Sequence, residues 1–167
     1  MKMITVVLAV SAVLAPISIA HAQAGRHSFS FHAQGIGGAV FMTGGGAYDP
    51  QSGFLQGGGG FRCTSDVNAG PLAGLKAGEG THWKASAILP SSGFKCGGIP
   101  GEPLKTAVTD NDTVVMQVDF FRQGDGATPS FTAKVFVSAV DENPDEPQIQ
   151  NVWIQGVGCD EARVDVR

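Results

Sequence analysis

The segment QNVWIQ sets Trp153 between Asn151 and Gln155, with Val152 and Ile154 at the intervening positions. Side chains of an extended strand alternate between its two faces, so Trp153, Asn151 and Gln155 share one face while Val152 and Ile154 take the other. An indole flanked by amides on a wet sheet face can stack on a sugar ring or anchor a protein partner. These three residues are the candidate ligand-binding set. The competing reading buries both faces of the sheet here and satisfies the amides internally. Trp83 differs: it shares its face with Ala85, Ala87 and Leu89 and reads as core.

Catalytic and metal-binding chemistries find less support. His27 and His32 are five residues apart and point to opposite faces of a regular strand, so they cannot chelate together without a bulge, and His82 reads as a surface residue. No metal site or cofactor is expected. Carboxylates gather at Asp110/Asp112 and in DENPDEP, residues 141–147. Neither segment has the ligand spacing of a calcium-binding loop, and the prolines of the second indicate a solvated turn. A hydrolase acting through loop carboxylates, such as Asp112 and Glu142, is the alternative to a binding role. PSSGF has Pro90 where the first glycine of a nucleophile elbow belongs. The glycine clusters lack both the GxGxxG spacing and the Lys-Ser/Thr pair of a phosphate loop, which leaves close backbone approach as their use.

Around these residues the 167-residue chain is patterned for strands, with 24 glycines and 9 prolines as punctuation. Period-two alternation runs through HSFSFHA, GGAVFMT, GFLQGGGGFRC, HWKASAIL, DTVVMQVDFF, FTAKVFVSAV, QNVWIQ and ARVDV. The strongest strand puts Val114, Met116, Val118 and Phe120 on one face and pairs with its successor across RQGDGATPS. Gly44–Gly46 and Gly57–Gly60 flank AYDPQSGFLQ, a hairpin with glycine-rich shoulders. About eight short strands predict an all-β fold, an antiparallel β-sandwich or jelly-roll-like arrangement, with a closed β-barrel as the alternative. A closed barrel could hold a small molecule in a dry pocket lined by Phe29, Phe31, Val118 and Phe120.

The N-terminus carries Lys2, an apolar run over residues 4–15, and Ala20 and Ala22 at the −3 and −1 positions of a cleavage site. Residues 1–22 are therefore expected to be a signal peptide, followed by a single exported domain over 23–167. The apolar run is short for a membrane span and is broken by Pro16; no later segment is apolar enough to span. The net charge of −4 and the scattered basic residues argue against a nucleic-acid partner. Export, to the periplasm or outside the cell, permits a disulfide among Cys63, Cys96 and Cys159. All three pairings are open, and Cys63–Cys96 is preferred because it closes the glycine- and proline-rich middle of the chain.

The segments GGGGFRC, KAGEG, DNDTVVMQVDFFRQGDG and QNVWIQGVGC resemble a group of small exported bacterial proteins of unknown function with glycine-rich all-β domains. The resemblance implies a secreted globular domain and brings no catalytic residue with it. The expectation is a binding or structural module at the cell envelope or outside the cell, whose ligand would be a glycan or an envelope protein.

Overall fold

A computed structural model describes residues 25–167; the expected signal peptide lies outside the described residues. The fold is all-β and antiparallel. Its strands are β1 (His27–Ile36), β2 (Val40–Asp49), β3 (Phe54–Cys63), β4 (His82–Leu89), β5 (Ser91–Phe94), β6 (Lys105–Val108), β7 (Thr113–Phe121), β8 (Phe131–Ser138), β9 (Val152–Ile154), β10 (Gly158–Asp160) and β11 (Ala162–Val166). Nine of them form one sheet in the order β10-β9-β8-β7-β4-β3-β2-β1-β11, and β5 and β6 form a separate hairpin.

The two ends of that sheet are consecutive in the chain. Only Glu161 separates β10, which pairs with β9, from β11, which pairs with β1. The chain turns a corner there, and the sheet curls into a nearly closed barrel, the alternative arrangement read from the sequence. Gly37 N donates to Cys159 O at 2.9 Å across the seam. The Asn151 amide completes the closure, accepting from Ala162 N at 2.8 Å and donating to Ala162 O at 3.1 Å. One side chain thereby supplies the donor and acceptor that a neighbouring strand would have offered.

The barrel interior is filled by side chains. Phe29, Phe31, Val118 and Phe120 do point inward, but into packed core: the Phe31 and Trp83 rings lie 5.8 Å apart, Phe61 and Phe120 5.0 Å, and Phe29 and Tyr48 6.0 Å. The glycine shoulders make room for these rings. Gly44 pairs with Gly59, Gly45 with Gly58 and Gly46 with Gly57. A Cβ on Gly44 would sit 2.6 Å from Trp83 Cζ2 and 2.4 Å from Gly58 O. The indole therefore packs against bare backbone and donates to Thr43 O at 2.9 Å. The outward positions of β1 (Ser28, Ser30, His32, Gln34) and of β4 (His82, Lys84, Ser86) are exposed and polar, where an outer-membrane barrel would carry an apolar band.

Strand parity holds along most of the chain and breaks in two places: within β1, where the register with β2 shifts between Ala33 and Ile36 and both are buried, and within β4. The β4–β7 register shifts between Ala85 and Ala87. This bulge turns Ala87 outward, brings Ile88 against the core and moves Leu89 to the opposite side, so the expected Trp83–Ala85–Ala87–Leu89 face ends at Ala85.

A second apolar cluster lies outside the barrel. The β5–β6 hairpin covers the outer face of β7, β8 and β9 through Phe94 and Ala107, which meet Val115, Phe136 and Trp153. Phe94 and Phe136 pack edge to face at 4.9 Å, and Phe136 and Trp153 stack at 5.8 Å. A disulfide, Cys96–Cys159, ties the end of this hairpin to β10. The preferred Cys63–Cys96 pairing is thus corrected. Cys63 faces the barrel interior from the end of β3, buried and free, whereas Cys96 follows the hairpin strand that packs outside. Closing a loop of 63 residues contributes about 4 kcal/mol in the chain-entropy account of cross-links.

Candidate functional site

The residues singled out in QNVWIQ fill structural positions. The parity of Trp153 is as expected, opposite Val152 and Ile154, but the β5–β6 hairpin covers its face and leaves it 4% exposed. Its indole N–H donates to Lys95 O at 3.0 Å. Asn151, 5% exposed, is the amide that closes the barrel. Gln155 is half-buried and accepts from Lys134 N at 3.2 Å on β8. The expectation of an exposed tryptophan platform is therefore corrected: the indole has no free face to offer a ligand, and both asparagine polar atoms are committed to backbone.

Three of the loop carboxylates, Asp110, Asp141 and Glu142, are likewise engaged, while Asp112 is exposed and contributes its backbone amide. Asp110 accepts from the amides of Asp112 and Thr113, both at 2.9 Å, and holds the turn into β7. Asp141 accepts from Asn143 N and Gln150 N, each at 3.0 Å, and so closes the acidic turn on itself. Glu142 accepts from the buried Thr113 hydroxyl at 2.8 Å, and that hydroxyl also meets Ser138 Oγ at 2.8 Å. Ser92 lies in strand β5, buried, with its hydroxyl donated to Gly93 O. No sharp strand-to-helix turn surrounds it, as a nucleophile would require.

The structure gathers polar groups elsewhere, at the barrel seam. An open depression of about 860 Å³ is lined by His32 and Gln34 of β1, Asp160, Glu161, Ala162 and Arg163 of the β10–β11 corner, and Gln148 of the acidic loop. A second depression, about 410 Å³, adjoins it over the disulfide and shares Gln148, Asp160 and Glu161 with the first. Together they form one groove along the seam. Its walls follow from the closure. Outward parity places His32 and Gln34 on the solvent face of β1, and the β1–β11 register sets His32 opposite Arg163. Asp160 accepts from Gly35 N at 2.8 Å, which fixes the corner against the strand it must meet.

Beneath the second depression, Glu102 is 4% exposed, accepting from Cys96 N at 2.8 Å and Gly97 N at 2.6 Å and receiving Asn143 Nδ2 at 3.3 Å. This carboxylate joins the disulfide turn to the acidic loop. Lys105, at the start of β6, adds an ion pair with Asp145 of the acidic loop. The region around the second depression is thus braced by a disulfide, a buried carboxylate and an ion pair.

What such a groove can do chemically is recognise. It offers an imidazole, a guanidinium, two carboxylates and side-chain amides, in an open trough with few apolar groups. Sites for compact drug-like molecules are usually concave and apolar, with a few placed polar groups. An open, mixed-charge trough suits an extended polar ligand that exchanges many weak hydrogen bonds. Sequence inspection missed it because its residues come from four separated segments, and an outward His32 or Arg163 looks like any solvated strand residue. Comparison with protein-family models, with curated proteins and with solved structures returned no match.

Proposed function

We propose that this protein is an exported binding module that recognises an extended polar ligand, a glycan in the first instance, along the seam groove. The observation that carries this reading is the convergence of His32, Gln34, Gln148, Glu161 and Arg163 on one open trough, which adjoins the second depression over the disulfide. Export is supported by the leader-like N-terminus and by the disulfide, since such bonds persist in oxidising compartments. Among the described residues no helix is long and apolar enough to cross a membrane. The filled barrel directs recognition to the outer surface, because a ligand inside would have to displace Phe29, Phe31 and Trp83.

The test is affinity measurement against a panel of neutral, acidic and amino-sugar oligosaccharides, with wild-type protein and Arg163→Ala. A hydrogen bond to a charged group contributes about 1.5–3 kcal/mol, so loss of the guanidinium weakens binding about tenfold or more. Binding that Arg163→Ala leaves unchanged would place the ligand elsewhere, and a silent panel would remove the glycan reading.

A further inference from the structure

The acidic loop and the disulfide turn bring together oxygens that the protein does not satisfy by itself. A carboxylate oxygen of Glu146 lies within 4.8 Å of one from Glu102. Glu146 Oε1 is buried and has no hydrogen-bond partner among the described residues; neither does Asn143 Oδ1, on a side chain that is fully buried. The Asn143 amide meets Glu102, its Nδ2 donating to Oε1 at 3.3 Å. Glu146 approaches closely because residue 98 is glycine: a Cβ there would stand 2.3 Å from Glu146 Oε2. The Cys96 sulfur is nearby but bonded to Cys159, so it is not a ligand, and the free donors are all oxygen.

Two neighbouring carboxylates with an orphaned oxygen repel in the absence of positive charge, and a buried carbonyl without a donor is costly. A hard divalent cation answers both. Calcium takes six to eight oxygens from carboxylates, amide and backbone carbonyls and water, in flexible geometry. Turning the Asn143 amide over would direct Oδ1 at Glu102, an arrangement that a cation between them makes favourable. Glu146 also lines the groove over the disulfide, which gives an ion a path in and leaves room for water ligands. We propose that Glu102, Glu146 and Asn143 bind a divalent cation, calcium by the hardness of the donor set. The ion ties the acidic loop to the disulfide turn. This site does not depend on what the seam groove recognises.

The experiment uses purified, oxidised protein stripped with EDTA and titrated with calcium chloride by calorimetry, with terbium luminescence as a second readout. Trp153 donates to the carbonyl of the residue before Cys96 and is placed to sensitise a lanthanide bound there. The expected result is one calcium per chain, with an affinity that falls about tenfold or more in Glu146→Gln, as the charge count of the site drops. Gly98→Ala, which pushes the Glu146 carboxylate away, weakens binding similarly. In EDTA, Glu146→Gln melts at the wild-type temperature or above it, because repulsion with Glu102 is removed; in calcium it melts below. Absence of calcium binding and terbium emission at millimolar ion overturns the proposal. So does binding indifferent to both substitutions, or an equal loss of melting temperature in EDTA and in calcium, which would make Glu146 a plain structural residue.

Discussion

Replacing Asn151 with alanine tests how the barrel is closed. The amide makes two hydrogen bonds to the backbone of Ala162, at 2.8 and 3.1 Å, in a place where Asn151 is 5% and Ala162 8% exposed. Truncation leaves one buried N–H and one buried carbonyl without partners. An orphaned buried group costs about 1–3 kcal/mol, and water reaching the seam favours the lower half of the range, so the loss is about 2–4 kcal/mol. That is a large part of the ~5–15 kcal/mol that holds a domain folded, and at ~2–4 °C per kcal/mol it lowers the melting temperature by about 5–15 °C. Asn151→Asp sharpens the test at constant shape. An ionised aspartate still accepts from Ala162 N–H but faces Ala162 O with a charge, so at neutral pH it destabilises at least as much as alanine. The protonated acid donates as the amide does, which raises the aspartate pKa in the folded state, and stability therefore returns as pH falls through that value. Urea unfolding gives the free energies, and hydrogen exchange at the Ala162 amide gives the local effect. A loss below about 0.5 kcal/mol for Asn151→Ala, the ordinary scale of surface changes, with Ala162 exchange unaltered, would refute the closure described here.

Other expectations follow from single groups. Cys63 is buried against the core, and burial first, then Glu79 and Asp66, push its thiol up to about 11. It should resist aromatic disulfide reagents at pH 8 in the native protein and titrate as one thiol per chain after denaturation; rapid native reaction would contradict its placement. Asp49 holds the β2–β3 turn, accepting from Gln51 N, Ser52 N and the Ser52 hydroxyl, and that hydroxyl is the main reason its carboxyl titrates below the usual value. Its contribution is complete above the unfolded carboxylate pKa, near 3.9, and is lost as pH falls through the lower folded value. Asp49→Asn should therefore flatten part of the acid limb of a stability–pH profile measured by urea midpoint, and an unchanged limb would count against this turn.

Much of the fold was legible in the residues. All eight alternating segments are strands, because period-two burial is a local property that survives whatever the strands pack against. The glycine shoulders pair as expected, since a turn between two glycine runs leaves few registers. The β5–β6 hairpin was not legible: SSGF and KTAV are four residues each, too short to establish a period. That omission produced the misplacement of Trp153, because parity assigns a side chain to a face and cannot say whether a distant hairpin covers it. The disulfide escaped for the same reason, Cys96 lying next to that hairpin. Ser86 in β4 carries no glycine to mark its bulge, so the face was extended past the point where it flips. As for the site, Glu102 sits in an unremarked GEP turn, and nothing local says that its carboxylate meets Cys96, Gly97 and Asn143. Long-range closure built the groove, and closure is what strand periodicity leaves unspecified.

The central claim is that recognition takes place along the seam groove, outside a filled barrel. Backbone amide shifts of isotopically labelled protein, titrated with the oligosaccharide that binds best, test it most directly. The account predicts saturable shifts confined to His32–Gly35, Gln148 and Asp160–Arg163, with the amides of the interior-facing Phe29, Val118 and Phe120 unmoved. Shifts centred on those interior positions, or on the β5–β6 hairpin over Trp153, would contradict it.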